Sequence, residues 1–199
     1  MASLFSDLLT KSTPADLQKG SQEAIDWFRK QALQVSRVDK RQILNTKMPF
    51  RRLQALSENS VGKMYMFVYD AKMKDILPYF DTFPLIFPIE FYGDSFLGIN
   101  LHYLPPVARA KLMDALYSLI NNKKYDKTTV IKLSYQILKN AARFKYFQPC
   151  IKKYLMSHVG SPFIYIAPDE WDFALMLPTE RFQGANKQRV FKDSMSMVR

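Results

Sequence analysis

One cysteine, two histidines and six glycines are all that the 199-residue chain contains of those three residue types. Each scarcity closes off a class of chemistry. Cys150 alone makes no internal disulfide, and one cysteine with two distant histidines does not form a zinc ligand pattern. Such a chain suits synthesis in a reducing, intracellular place. The few glycines are scattered, so there is no phosphate-cradling loop, no dinucleotide fingerprint and no G-x-S-x-G nucleophile elbow. Long apolar runs are missing too: none approaches the ~18 residues that a membrane span needs. The first ten residues lack the basic and apolar regions of a secretory signal. No membrane partner and no cofactor are expected.

What is present is enough apolar surface for a core and a large excess of positive charge. Hydrophobic residues make up 48% and aromatics 14%, which argues against disorder along the whole chain. Lys and Arg outnumber Asp and Glu 29 to 18, a formal charge of +11. That sign points to a polyanionic partner, such as nucleic acid or an acidic protein surface.

Three segments follow from the patterning. Residues 1–60 read as an N-terminal helical and basic extended arm. Leu4, Phe5, Leu8 and Leu9 suit a short amphipathic helix ended by Pro14. A better helix starts at the Ser21 N-cap and carries Ile25, Trp27, Phe28 and Leu33. The basic stretch beyond it is broken at Pro49. Residues 61–180 read as an α+β core domain, and residues 181–199 as a basic, peripheral C-terminal tail.

Within the core, KMYMFVYD alternates as a strand does. PLIFPIEF is a strand whose prolines suggest a sheet edge. Tyr92-Gly93-Asp94-Ser95 is a hairpin turn, across which FLGINLHYL pairs back, with Gly98 marking a bulge or close approach. PPVARAKLMDALYSLI starts a helix on proline. TTVIKLSYQILKNAARF and QPCIKKYLMSHVG read as two further helices, the last capped at Gly160, although TTVIKLSY alone also suits a strand. SPFIYIA is a short strand, and PDEWDFALMLP a helix with Asp169 and Glu170 in its first turn. The fold expected is a small antiparallel sheet, or partly open barrel, packed with several helices.

The charges are segregated. Arg37, Lys40, Arg41, Arg51 and Arg52 crowd the arm. A second basic group runs from Arg109 to Lys153 and includes Lys139, Arg143, Lys145, Lys152 and Lys153. These ten, Arg109 aside, are the candidate binding residues for nucleic acid or a protein partner. Phosphate contact gives strong, salt-sensitive, sequence-independent affinity. Phe144, Tyr146, Phe147 and Tyr154 interleave with the second group and suit base stacking, although their spacing fits a helix core better.

Signs of catalysis are thin. His102, between Leu101 and Tyr103, reads as a structural histidine on a strand, and His158 as a helix-end cap. Cys150 lacks a neighbour that would depress its pKa. Asp70, Asp75, Asp81 and Glu90, beside Lys72 and Lys74, resemble a nuclease-like magnesium cluster only loosely. Acidic residues at turns are ordinary loop chemistry. A non-enzymatic protein without a metal site is expected.

The phrases VGKMYMFVYDAKMKDILPYFDTFPLIFPI, GINLHYLPPVARAKLMDAL, KLSYQIL, FKYFQPCIKKYL and PDEWDFALMLP carry a resemblance. Over about Val61 to Pro178 the chain resembles a virion protein of T-even-type, contractile-tailed bacteriophages, and the DNA end protector family in particular. That resemblance implies a low-copy protein made in the host cytoplasm. It would sit in the virion at the packaged DNA terminus, in the head-to-tail region, among other virion proteins of a large symmetric assembly. It implies no catalytic residue. A structural adaptor of the neck, tail or baseplate, docking through the basic arm, fits the same residues. A metal-dependent nuclease is the remaining alternative.

Overall fold

A computed structural model of the chain describes residues 56–118 and 145–198. The alternation that marks Lys63 to Asp70 as extended has a clear consequence: it divides the molecule into two apolar clusters, one on each face of a sheet. Met64 and Met66 of β1 (Met64–Met66) point into one cluster, and Tyr65, Phe67 and Tyr69 into the other. β3 (Leu85–Tyr92) divides in the same way, with Leu85, Phe87 and Ile89 on the first side and Ile86 on the second. β4 (Ser95–Asn100), β5 (Ile151–Leu155) and β6 (Ile164–Ile166) complete an open, antiparallel five-stranded sheet in the order β5-β4-β3-β1-β6.

The first face is covered by α1 (Pro106–Ser118) and α2 (Trp171–Met176). α1 begins on proline, which is preset for a first helical turn. α2 follows a short 3-10 turn, Pro168–Glu170, where the Glu170 carboxylate accepts from the Ala167 N–H at 3.2 Å. Trp171 is fully buried, meets Phe87 edge-on at 5.2 Å, and donates its indole N–H to the Ile166 carbonyl at 3.0 Å. Burying a large apolar side chain contributes about 1.5–3 kcal/mol, so this face contributes strongly to stability. The second face is aromatic: Phe67 contacts Tyr69, Phe96, Tyr154 and Phe163, with ring centroids 4.8–6.1 Å away.

The hairpin turn falls where its sequence places it, with Tyr92 paired to Ser95 and Gly93 at φ 50. Gly98 lies opposite Pro88, beside a register shift between Pro88 and Glu90, and a Cβ there would touch Ile86 and Tyr154. The fold is α+β as expected, but several elements differ from their reading in the sequence.

β3 is the middle strand, not an edge. β1 pairs with it only at Leu85 and Ile86. The Pro88 carbonyl faces that side and accepts from the Gly62 N–H at 3.2 Å. Backbone N and C=O of one strand residue point the same way, so the missing N–H of Pro88 falls beyond the end of the β1 ladder. QPCIKKYLMSHVG is not a helix. A 3-10 segment, Lys145–Cys150, contains Pro149 and leads into β5, which pairs with β4 from Ile151↔Ile99 to Leu155↔Ser95. Gly160 therefore caps no α-helix; its N–H donates to the Val68 carbonyl at 2.8 Å. His102 lies past the end of β4, in the 3-10 turn Leu101–Tyr103, where the Asn100 side chain accepts from the His102 N–H at 3.0 Å.

The C-terminal segment is integral rather than peripheral. β7 (Phe182–Gln183) pairs with β2 (Phe80–Asp81), and α3 (Lys187–Val198) buries Val190 and Ser194. The arm helices and the helix read in TTVIKLSYQILKNAARF lie outside the described residues.

The glycine at the β7–α3 turn makes the first test. Gly184 has φ 83, and a Cβ there would lie 2.6 Å from the Pro78 carbonyl oxygen, whereas Gly93 has open space around it. Gly93→Ala should cost about 1 kcal/mol of backbone strain. Gly184→Ala should cost that and about 1–3 kcal/mol more for the clash. Urea unfolding of the two variants measures the difference, and equal midpoints would contradict the packing described.

Candidate nucleic-acid interface

Three stretches of chain far apart in sequence meet at one buried carboxylate. Asp81, at the end of β2, accepts from the Phe83 N–H at 3.0 Å and the Arg181 N–H at 3.2 Å on Oδ1. Its Oδ2 accepts from Asn100 Nδ2 at 3.2 Å and lies 2.7 Å from His102 Nδ1. The other imidazole nitrogen, Nε2, lies 2.9 Å from Thr179 Oγ1. Asn100 Nδ2 also donates to the Tyr154 hydroxyl at 3.0 Å. Burial by itself would raise the Asp81 pKa. Attraction to His102, with the hydrogen bonds from His102, Phe83 and Asn100, outweighs that and holds it below the ordinary value.

Asp81, His102 and Thr179 have the connectivity of an acyl-transfer triad. Their setting is different: His102 is 0% exposed and Thr179 1%, so the hydroxyl is sealed from a substrate. In this arrangement the histidine is a cross-link between β2, the turn after β4, and the chain entering β7. The expectation of a structural histidine holds, though in a turn and fully buried. Asp81 is likewise placed apart from the carboxylates grouped with it in the sequence. Asp70 is exposed and pairs with Lys74 at 3.1 Å. Among the described residues no three of His, Cys, Asp and Glu are grouped to hold a metal ion.

Arg109, counted among the basic residues of the second group, is no surface cation. It is 0% exposed and donates to the carbonyls of Leu104 at 2.7 Å and Leu175 at 3.0 Å, and to Glu180 Oε2 at 3.1 Å. It thus ties α1 to the end of α2 and to the residue beside Thr179. Burial lowers its pKa against the pull of Glu180. For Glu180 burial acts upward, and Arg109 with His102 brings the net shift below its ordinary value. Cys150 is buried and its thiol is pushed up to about 12, despite nearby Lys152 and Arg109, which fits the inert role expected of it.

Of the ten candidate binding residues, Arg37, Lys40, Arg41, Arg51, Arg52, Lys139 and Arg143 lie outside the described residues. Lys145 opens the 3-10 segment before β5. Lys152 and Lys153 are neighbours on β5, an edge strand, where lysine discourages unwanted pairing. The period of two sends them to opposite faces. The Lys152 ammonium sits 4.1 Å over the Tyr103 ring, half-buried, with its pKa lowered by burial. Lys153 is exposed, 5.9 Å from the Tyr92 ring. These two lysines do not form one patch. Phe147 and Tyr154 are core residues and offer no stacking surface. Described cations outside the candidate set include the exposed Lys72, Lys74 and Lys111 and three on α3. Lys192 is exposed, Arg189 pairs loosely with Asp193 at 3.8 Å, and Lys187 lies 3.6 Å from Glu180. Their helical spacing, K-x-R-x-x-K, was the available signal.

The chain is an α+β scaffold that pairs Asp81 with His102 and Arg109 with Glu180 in its interior and carries exposed lysines at a strand edge and on a C-terminal helix. Its family can be stated. Residues 23–196 match the family described as phage T4 terminal DNA protecting protein, and the chain belongs to that family. It is a bacteriophage protein of the DNA-terminus protecting class. No curated protein and no solved structure matches it.

The buried cluster predicts an acid-sensitive fold. Because the Asp81 pKa is lowered on folding, its stabilisation is fully present above the unfolded carboxylate value, about 4, and is lost as pH falls through the folded value. Asp81→Ala should lower stability near neutral pH by about 3–5 kcal/mol, because it strands buried polar partners. It should also flatten the acid limb of a stability-against-pH curve followed by denaturant unfolding. An unchanged acid limb would show that the cluster contributes nothing to pH dependence.

Proposed function

We propose that the protein holds the end of packaged duplex DNA through phosphate contacts and shields it from exonuclease, without itself cutting DNA. The family match carries this reading, because it spans residues 23–196 and so takes in both basic segments of the sequence. The formal charge of +11 supports it: each phosphate neutralised releases counterions, and several contacts together give strong binding at any sequence. The exposed Lys153 and Lys192 extend the cationic set beyond the arm residues Arg37, Lys40, Arg41, Arg51 and Arg52 and the second-group residues Lys139, Arg143 and Lys145. The partners on this reading are the DNA terminus and neighbouring virion proteins, and the place is the head-to-tail region of the virion. The engagement of Asp81 with four partners supports a non-catalytic role, since it removes one carboxylate from any cation-binding cluster.

Titration on linear duplex across a salt series tests the reading. Affinity should fall as salt rises, with a log–log slope of about −0.9 per phosphate contacted. Lys153→Ala and Lys192→Ala should each weaken binding at every sequence and reduce that slope by about 1 where the lysine meets a phosphate. Added exonuclease should digest the bound duplex more slowly. Salt-independent binding, or no protection, would overturn the proposal.

A further inference from the structure

Backbone phosphodiesters are the same at a duplex end and in its middle, so attraction to them does not select an end. Besides its terminal hydroxyl and phosphate groups, an end adds the bare, flat, apolar face of its last base pair. The segment between the Asp70 anchor and Tyr79 has the matching chemistry. Met73, Ile76 and Leu77 are 56%, 73% and 42% exposed, and they are neighbours within one turn of chain. Residues 72–78 are exposed without interruption.

This protrusion is held in shape. The N–H groups of Ile76 and Leu77 donate to the Met73 carbonyl at 3.1 and 3.0 Å, and the Lys74 N–H donates to Ala71 at 3.3 Å. One stem is fixed by Asp70, whose N–H donates to the His158 carbonyl at 3.1 Å and whose carbonyl lies 2.9 Å from His158 Nδ1. At the other stem Gly184 abuts Pro78, and Tyr79 packs against Tyr103 and Phe182 and hydrogen-bonds Asp193, with Arg189 nearby. Cations therefore flank the apolar tip: Lys72 and Lys74 within it and Arg189 beside its stem. The acids of the protrusion are Asp70, which Lys74 pairs, and Asp75.

From this juxtaposition, and resting on the DNA-end reading above, we infer that residues 72–78 cap the terminal base pair. Met73, Ile76 and Leu77 cover its exposed face, and Lys72 reaches the adjoining phosphates. Met, Ile, Leu and Pro are the side chains that proteins press against unstacked bases. A protein partner is a poorer fit, because a stable protein interface covers about 800 Å² on each side, far beyond three side chains of one short loop.

The test uses full-length protein and two competitors: a blunt linear duplex, and the same duplex closed at both ends by hairpin loops. Wild-type protein should bind the open form more tightly. The triple variant Met73→Ser, Ile76→Ser, Leu77→Ser, checked for unchanged thermal unfolding, should bind both forms equally while keeping its salt-dependent affinity for the closed one. A variant that retains the preference for open ends overturns the inference. Equal wild-type binding to both forms also overturns it, while leaving phosphate binding in place. Absence of binding to either form would instead remove the proposed function itself.

Discussion

The fold depends on one carboxylate. Asp81 joins its own loop at Phe83, the end of β4 at Asn100, the turn at His102 and the chain entering β7 at Arg181, the last of these 100 residues away. An isolated buried charge is far costlier than an apolar group, so it persists only with full hydrogen bonding and a partner. That requirement fixes where β7 runs, and with it where α3 begins. The Arg109–Glu180 pair lies one residue from Thr179 and adds a second tie between α1 and the same stretch. The C-terminal helix is thus held to the sheet by polar cross-links as well as by Val190 in the core.

The local features were legible in the sequence and the distant ones were not. The Gly93 turn, the proline-led α1 and the Pro168 start before α2 each depend on a few adjacent residues. The same holds for β6, whose Ile164 and Ile166 alternate with Tyr165. β5 is different, because five residues of IKKYL satisfy a helical and an extended pattern equally well. Only pairing with β4, more than 50 residues earlier, decides it. Pro88 misleads for a related reason: proline signals an edge, yet a central strand has a local edge wherever its neighbour ends.

The excess of positive charge was legible in the sequence, and where each cation sits was not. A count of basic residues cannot separate Arg109, sealed in the interior, from Lys153, exposed on an edge strand. Nor does adjacency in sequence make a patch on a strand, as Lys152 and Lys153 show. The basic spacing on α3 was visible, but a segment read as a peripheral tail gave no reason to weigh it.

On the proposed reading, two length scales divide the work of recognising a DNA end. Attraction between an excess of cations and a polyanion acts over about a Debye length, roughly 10 Å at moderate salt, and is blind to position along the duplex. It explains arrival and retention and leaves selection unexplained. Selection needs contact with something that only an end possesses, at van der Waals range and from a shape that keeps its form before binding. A loop hydrogen-bonded to itself, stapled at one stem by His158 and wedged at the other against Gly184, has that stiffness. The buried polar ties to the C-terminal segment therefore matter beyond stability: they hold Gly184, and hence the wedge beneath the loop, in place.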